Sequence, residues 1–333
     1  MARAGACNSP GPCLYPRIFN GLCMDYLFLI LGFVILLISG DLLVKSGVAL
    51  ASHFRVSTLV TGVTVVSLGT SAPELVVSLG AAMKDLPDIA AGSVIGSNIS
   101  NIALVLGLTA LIIKIPVSKT SVGFDWPFMM LAGLLFYVFT IGGQLSYHEG
   151  IIFISLLGVF IFWSVRQSRL ELSRINHVFA KARYSVFVSV LLLVVSGAGL
   201  YFGATWLVES AESIAARLGI SERVISVTII AFGTSVPELA TSVIAAMRKQ
   251  LDISIGNIIG SNIFNIFGIL GVTSIIKTIP LSFELRYDLY WMLAISLLLF
   301  FFMLPYGRAF LNRWKGVVLM MVYISYIFLV FKT

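Results

Sequence analysis

A fifteen-residue stretch occurs twice in the chain, as GTSAPELVVSLGAAM over residues 69–83 and as GTSVPELATSVIAAM over residues 233–247. Ten of the fifteen positions are identical, and each copy places a glutamate, Glu74 or Glu238, directly after a proline in an otherwise apolar segment. An acidic side chain at the centre of a bilayer costs roughly 3 kcal/mol even on lenient insertion scales. Two such glutamates in equivalent positions indicate a functional site.

The composition indicates a membrane protein. Hydrophobic residues make up 59% of the chain, charged residues 11%, and the mean hydropathy is +1.02, whereas soluble domains contain roughly 25% charged residues. Apolar runs of about 20 residues, enough to cross ~30 Å of hydrocarbon as a helix, recur throughout. They predict an all-α membrane protein with ten transmembrane helices, at about 26–44, 57–82, 89–113, 125–142, 150–165, 184–203, 221–246, 253–277, 288–304 and 314–331.

A constant offset of 164 positions relates the two halves of the chain, and it needs no gap from Val44 to Pro116. The repeated unit contains five spans, and because five is odd the second copy must enter the membrane from the opposite side. Inverted repeats with interrupted helices are typical of transporters, whose ion sites lie near the membrane midplane. The sequence therefore predicts two inverted five-helix repeats, with helices 2 and 7 broken near the repeated proline.

The basic residues predict the orientation and the division of the chain. If loops alternate between sides, 14 of the 22 Lys and Arg fall on one side, which the positive-inside rule makes cytoplasmic, with both termini outside. The predicted parts are a disordered leader (1–24), a first repeat (25–165), a basic cytoplasmic loop (166–183) and a second repeat (184–333). This loop is interpreted as a topology signal and hinge, with lipid binding or regulation as the alternative. The net charge of +7 thus reflects topology, and no nucleic-acid partner is expected.

Oxygen-bearing side chains recur at helical spacing around each glutamate. Predicted helices 2 and 7 carry them at i, i+3, i+4 and i+7, as Ser67, Thr70, Ser71 and Glu74, and as Ala231, Thr234, Ser235 and Glu238, with alanine in place of the first serine. Predicted helices 3 and 8 add pairs four residues apart, Ser97 with Asn101 and Ser261 with Asn265. Carboxylate, hydroxyl and amide oxygens without sulfur or imidazole suit hard cations such as Ca²⁺, Mn²⁺, Mg²⁺ or Na⁺.

The repeated prolines add further oxygen ligands. Pro73 and Pro237 have no N–H, so the backbone carbonyls four residues earlier, at Gly69 and Gly233, lose their helical donors. Such a carbonyl inside a membrane must be satisfied by a cavity, water or an ion.

Each of these features has a structural alternative. Serine and threonine in membrane helices often bond to their own backbone or to a neighbouring helix, and the GSN motifs are compatible with close helix packing. The two glutamates have fewer alternatives, because no intramembrane Lys, Arg or His is predicted beside them. They must be protonated or hold cations. The other thirteen acidic residues are predicted in loops or helix ends, with Asp41 and Asp125 nearest to a span.

The motifs GTSAPE and GTSVPE, followed by GSNISN and GSNIFN, resemble the two α-repeats of the calcium/cation antiporter superfamily, most closely the prokaryotic sodium/calcium exchangers. The resemblance covers the chain after the leader and implies ion sites enclosed by helices 2, 3, 7 and 8. By motif position it implies a Ca²⁺ site formed by Glu74, Glu238, Thr70 and Thr234. It implies Na⁺ sites formed by Ser71, Ser235, Ser97 and Ser261 with the backbone at Ser67 and Ala231, and a central site at Asn101 and Asn265.

One position departs from some members of that superfamily. Potassium-dependent relatives carry Asp at the position of Asn265, whereas this chain has Asn in both halves. The expected formal charge of the site is −2, which balances one Ca²⁺. By resemblance this argues against potassium co-transport.

The resemblance implies a secondary antiporter that exchanges Na⁺ for Ca²⁺ by alternating access, with helices 1 and 6 as the moving pair. We expect it in a prokaryotic plasma membrane, with no cofactor and no obligate protein partner. The nearest alternative is exchange of Ca²⁺, or another divalent cation, for H⁺. A channel is disfavoured by the inverted repeat, and an intramembrane enzyme by the absence of an HExxH motif and of any intramembrane histidine.

Overall fold

The computed structural model describes residues 14–174, 182–218, 233–283, 285–304 and 310–330, which are helical almost throughout. The helices are α1 (Leu14–Phe54), α2 (Thr58–Thr70), α3 (Ala72–Met83), α4 (Pro87–Ile112), α5 (Ser121–Ile141), α6 (Tyr147–Arg174), α7 (Val186–Arg217), α8 (Val236–Met247), α9 (Leu251–Ile276), α10 (Leu285–Met303) and α11 (Arg313–Val330).

Eight of these helices are long and apolar enough to cross a membrane, and α2 together with α3 makes a ninth candidate span. The chain is therefore an integral membrane protein. The predicted seventh span, 221–246, falls partly on residues 219–232, which lie outside the described part of the chain. Its described portion is α8.

Two helices are longer than predicted, since α1 continues to Phe54 and α7 to Arg217. The expectation that acidic residues other than the two repeated glutamates occupy loops or helix ends is therefore wrong for Asp41, Glu209 and Glu212. The end of an apolar run marks the limit of the hydrocarbon, whereas Lys, Glu and Arg propagate a helix well beyond it. For the same reason α6 continues through Arg174, so the first part of the predicted 166–183 loop is helical.

The helices α4 and α9 form the centre of the molecule. In their most apolar windows, 78% and 83% of the residues are buried, against 17–33% for α1, α5, α6, α7, α10 and α11. The buried cluster follows these helices through Ile95, Ile99 and Ile102 in α4 and through the residues 164 positions later in α9, Ile259, Ile263 and Ile266. The outer helices turn large apolar side chains outward, as a surface in contact with lipid requires.

Helices α1 and α7 pack against each other in opposite directions. Arg217 near the end of α7 pairs with Asp25 in the first third of α1 at 3.0 Å. At the other end, His53 Nε2 lies 2.7 Å from the carbonyl oxygen of Tyr184, just before α7 begins. A glycine contact lets the helices approach closely, because a Cβ on Gly32 would lie 2.7 Å from the carbonyl oxygen of Gly203.

Two short antiparallel strand pairs connect the halves outside the helical core. Strand β1 (Ile115–Pro116) pairs with β4 (Phe310–Leu311), with Ile115 opposite Leu311. Strand β2 (Gln144–Leu145) pairs with β3 (Ile279–Pro280), with Leu145 opposite Ile279. Each pair joins a loop of the first half to a loop of the second, which fixes the halves relative to each other.

Candidate functional site

The helix that carries the first repeated stretch is broken at Ser71. Its backbone there has φ −86° and ψ 4°, in the sparsely populated region where many active-site residues lie, and α2 and α3 meet at an angle of 47°. Pro73 sits in the first turn of α3, where its missing N–H costs no helical hydrogen bond. The predicted break in helix 2 is thereby confirmed.

The second repeated stretch has the same local conformation. Ser235 precedes α8 with φ −93° and ψ 3°, and Pro237 occupies the first turn of α8. The part of helix 7 before this point, residues 219–232, lies outside the described residues.

The break between α2 and α3 places the first glutamate at the start of a helix, and the second glutamate has the same position. Ser67, Thr70, Ser71 and Glu74 do not lie on one continuous helix as expected, yet all four are buried. Glu74 lies in the first turn of α3 and Glu238 in the first turn of α8. The unpaired backbone N–H groups at a helix N-terminus favour a negative charge, so each break supplies partial compensation for its carboxylate.

The two carboxylates lie near each other in the interior. Both side chains are 0% exposed, and they are close enough to repel each other electrostatically. Ser71 Oγ donates a hydrogen bond to Glu238 Oε1 at 3.1 Å. Within the described part of the chain, Glu238 Oε2 and both carboxylate oxygens of Glu74 have no hydrogen-bond partner. Buried oxygens of this kind require a cation or a proton.

Hydroxyl groups join the halves around these carboxylates in a symmetric arrangement. Thr70 Oγ1 lies 3.4 Å from Ser261 Oγ, and Thr234 Oγ1 lies 3.4 Å from Ser97 Oγ. The second contact is the first one transposed by the 164-residue offset. Each of these threonines therefore lies against the central helix of the other half.

The side-chain amides of Asn101 and Asn265 are also buried in the interior. Asn101 begins a π-helical turn over Asn101–Leu106, and Asn265 lies in the corresponding turn over Phe264–Leu270. Such turns are frequent at functional sites because they redirect side chains. Both residues are 0% exposed, and neither amide has a hydrogen-bond partner among the described residues.

The hydroxyl groups of the predicted site residues Ser67 and Ser235 differ in their hydrogen bonding. Ser67 Oγ donates to the carbonyl oxygen of Val63 at 2.6 Å, so its hydroxyl is occupied by its own helix, as the structural alternative expected. Ser235 Oγ is buried and has no partner in the described segments. Ala231 lies outside them.

Sequence reasoning missed Asn257. This residue is 0% exposed, accepts a hydrogen bond from Thr70 Oγ1 at 3.1 Å and donates one to Ser242 Oγ at 3.1 Å. A signal was available, because Asn257 precedes Ser261 by four residues and shares its helical face. The equivalent position in the first half is Ser93, so comparison of the repeats did not reveal it.

A cavity lies beside the two repeated prolines. This cavity of about 220 Å³ is lined by both repeated prolines, by Thr234 and by α7 residues that include Thr205 and Glu209. Thr234 is partly exposed, whereas the equivalent Thr70 is 0% exposed. The two equivalent threonines are therefore in unequal environments, and Thr234 is the one that borders this cavity.

The donor set suits a hard cation. It combines two carboxylates with hydroxyl and amide oxygens, and no group of three or more His, Cys, Asp or Glu side chains occurs in the described residues. None of the contacts described above involves a basic side chain. The two carboxylates therefore give the site a formal charge of −2. Oxygen ligands and this charge match Ca²⁺ or a small number of Na⁺ ions.

Comparisons with known proteins agree with this chemistry. The chain matches the sodium/calcium exchanger protein family over residues 24–166 and 188–332. It is 35% identical to the putative antiporter CaxA of Alkalimonas amylolytica, over 92% of this chain and 98% of that protein. It is 32% identical to the sodium/calcium exchanger MaX1 of Methanosarcina acetivorans, over 93% and 99%.

A solved structure has the same fold. The sodium-calcium exchanger NCX_Mj, soaked with Na⁺ and Ca²⁺, superposes with a TM-score of 0.77 at 34% identity, covering 91% of this chain and 97% of that one. Family, relatives and fold agree along nearly the whole length. This chain is a membrane antiporter of the sodium/calcium exchanger family.

Proposed function

We propose that this protein exchanges Na⁺ for Ca²⁺ across the membrane by alternating access, without K⁺. The observation that carries the proposal is the pair of fully buried carboxylates, Glu74 and Glu238. Their formal charge of −2 fits one Ca²⁺, and three of their four oxygens have no hydrogen-bond partner among the described residues. The similarity to MaX1 and NCX_Mj supports Na⁺ as the counter-ion.

We assign the ligands in three groups. Glu74, Glu238, Thr70 and Thr234 hold Ca²⁺, and the two carboxylates also share in Na⁺ binding. The flanking Na⁺ sites use Ser71, Ser235, Ser97 and Ser261 with the backbone at Ser67 and Ala231. The amides of Asn101 and Asn265 line a central position between them.

Charge neutralisation couples the two fluxes. Two carboxylates neutralised by Ca²⁺, or by several Na⁺, can be carried past the apolar interior, whereas an empty site with charge −2 is costly to move. Only loaded states therefore exchange access, so Ca²⁺ does not leak through without a counter-ion. Alternation arises from α1 and α7 moving as a pair past the site.

The wider architecture belongs to the same proposal. Ten transmembrane helices in two inverted repeats are supported by the antiparallel packing of α1 with α7 and by the transposed contacts around the carboxylates. With both termini outside, the basic loops face the cytoplasm. We place the protein in a prokaryotic plasma membrane.

The test is ⁴⁵Ca²⁺ uptake into proteoliposomes under imposed ion gradients. We expect uptake driven by an outward Na⁺ gradient and unchanged by addition of K⁺. Uptake that follows a pH gradient and ignores Na⁺ would instead identify exchange of Ca²⁺ for H⁺. Uptake of Ca²⁺ with no counter-ion at all would contradict antiport.

A further inference from the structure

We propose that Glu209 on α7 is an electrostatic entry residue that concentrates cations at the outer access route to the site. The structure joins this carboxylate and the site threonine Thr234 in one cavity of about 220 Å³. The inference rests on the proposed function and adds a residue outside the ligand set.

Glu209 is placed to act on ions in solution. Its side chain is exposed, and within the described part of the chain it makes no hydrogen bond or ion pair. Among the described residues that line the cavity, Glu209 carries a charge and the others are apolar or uncharged. Asp25 and Arg217, at the same end of α7, neutralise each other, so they do not cancel its field.

The two halves differ in charge at this position. Glu209 corresponds by the 164-residue offset to Lys45 on α1, and Thr205 corresponds to Asp41. Lys45 pairs with Asp41 at 2.7 Å, and Asp41 also pairs with Arg248. Lys45 on α1 is therefore part of an ion-pair cluster, whereas Glu209 on α7 has no ion-pair partner among the described residues.

This asymmetry gives the access routes different effects on a cation. By the distribution of Lys and Arg, the Glu209 end of α7 faces outside and the Lys45 end of α1 faces the cytoplasm. A cavity that carries one sign of charge raises the local concentration of the opposite ion. Cations are thus concentrated at the outer mouth and not at the inner one.

The size of the effect depends on the charge of the ion. In water, a unit charge at roughly 10 Å changes the local concentration of a monovalent cation about twofold. For a divalent cation the factor is squared, to about fourfold. Salt screens it, because the Debye length falls from about 30 Å at 0.01 M to about 3 Å at 1 M ionic strength.

The experiment compares Glu209→Gln with wild type in right-side-out and inside-out membrane vesicles. Half-saturating ⁴⁵Ca²⁺ is measured for uptake into Na⁺-loaded vesicles, and half-saturating Na⁺ for Ca²⁺ efflux. At low ionic strength we expect increases of about fourfold for Ca²⁺ and about twofold for Na⁺ in right-side-out vesicles. Inside-out vesicles should be unchanged, and choline chloride at ~1 M should remove the difference.

A matched control is Asp88→Asn, which removes an exposed carboxylate predicted on the same face but outside the cavity lining, and should change nothing. Equal shifts for Na⁺ and Ca²⁺, a shift that persists at high salt, or no shift at all would overturn the inference. Absence of Na⁺-dependent Ca²⁺ flux in wild type would overturn the proposed function instead.

Discussion

Asn98 and Asn262, 164 residues apart, each donate a side-chain hydrogen bond to the other's backbone carbonyl oxygen, at 3.3 Å and 3.2 Å. Both are buried at the crossing of α4 and α9. The reciprocal pair places the two central helices in a fixed register, and these helices carry Ser97, Asn101, Ser261 and Asn265.

The reciprocal geometry predicts that Asn98→Ala and Asn262→Ala destabilise the protein to a similar extent. Each removes the hydrogen bond to the other's backbone and a weaker one to a methionine sulfur, Met292 for Asn98 and Met129 for Asn262. One interhelical hydrogen bond is worth about 0.6–1.7 kcal/mol in membrane proteins. The measurement is the free energy of unfolding by SDS titration in mixed micelles. Ser325→Ala, which removes a bond within an exposed helix turn, serves as the control. A loss confined to one of the two variants would contradict the account.

Close packing of α9 on α2 predicts a second stability effect. A Cβ on Gly260 would lie 2.3 Å from the carbonyl oxygen of Val63, so Gly260→Ala must push the helices apart. We expect a loss of about 1–3 kcal/mol, typical of overpacking. The equivalent Gly96 has no heavy atom within 4 Å of an added Cβ, and Gly96→Ala should be tolerated. Equal melting temperatures for the two variants in detergent would refute this.

Asn257 is predicted to influence the affinity for Ca²⁺ through Thr70. Replacing it by alanine leaves the Thr70 hydroxyl with the Ser67 carbonyl oxygen as its other acceptor, which turns the hydroxyl toward its own helix. We expect a cost of about 1 kcal/mol. Half-saturating Ca²⁺ should then rise roughly fivefold. Ser93→Ala alters the equivalent residue, whose hydroxyl donates within its own helix, and should have little effect. If the two variants behave alike, Asn257 has no role in the site.

Substitution of Asn265 tests the charge of the site. Asn265→Asp raises the formal charge to −3, so a single Ca²⁺ leaves one negative charge uncompensated. Moving it is costly, and we expect flux to fall tenfold or more, since each ~1.4 kcal/mol is a factor of ten. Protonation of the added carboxyl restores neutrality, so flux should recover as the pH falls. Asn101→Asp is the matched variant, and Ca²⁺ flux with no pH sensitivity in either would contradict the charge argument.

Much of the candidate site could be predicted from the sequence, because the internal repeat shows which residues of the two halves are equivalent. The constant offset paired Glu74 with Glu238, and Pro73 marked the break between α2 and α3. Helix lengths could not be predicted, because α1 and α7 continue past the ends of their apolar runs, through Lys45 and Glu209. The unequal exposure of Thr70 and Thr234 could not be predicted either. It is a difference in tertiary packing, whereas the two repeats are nearly equivalent in sequence around these threonines.

The most direct test of the central claim is Na⁺-driven ⁴⁵Ca²⁺ uptake into proteoliposomes by Glu74→Gln and Glu238→Gln. Each variant leaves a single carboxylate in the site, whose charge of −1 no longer balances Ca²⁺. Glu171→Gln, which neutralises an exposed glutamate on α6, should transport like wild type. We expect both site variants to reach the membrane but to lose Na⁺-driven uptake. Full uptake by either of them would contradict it.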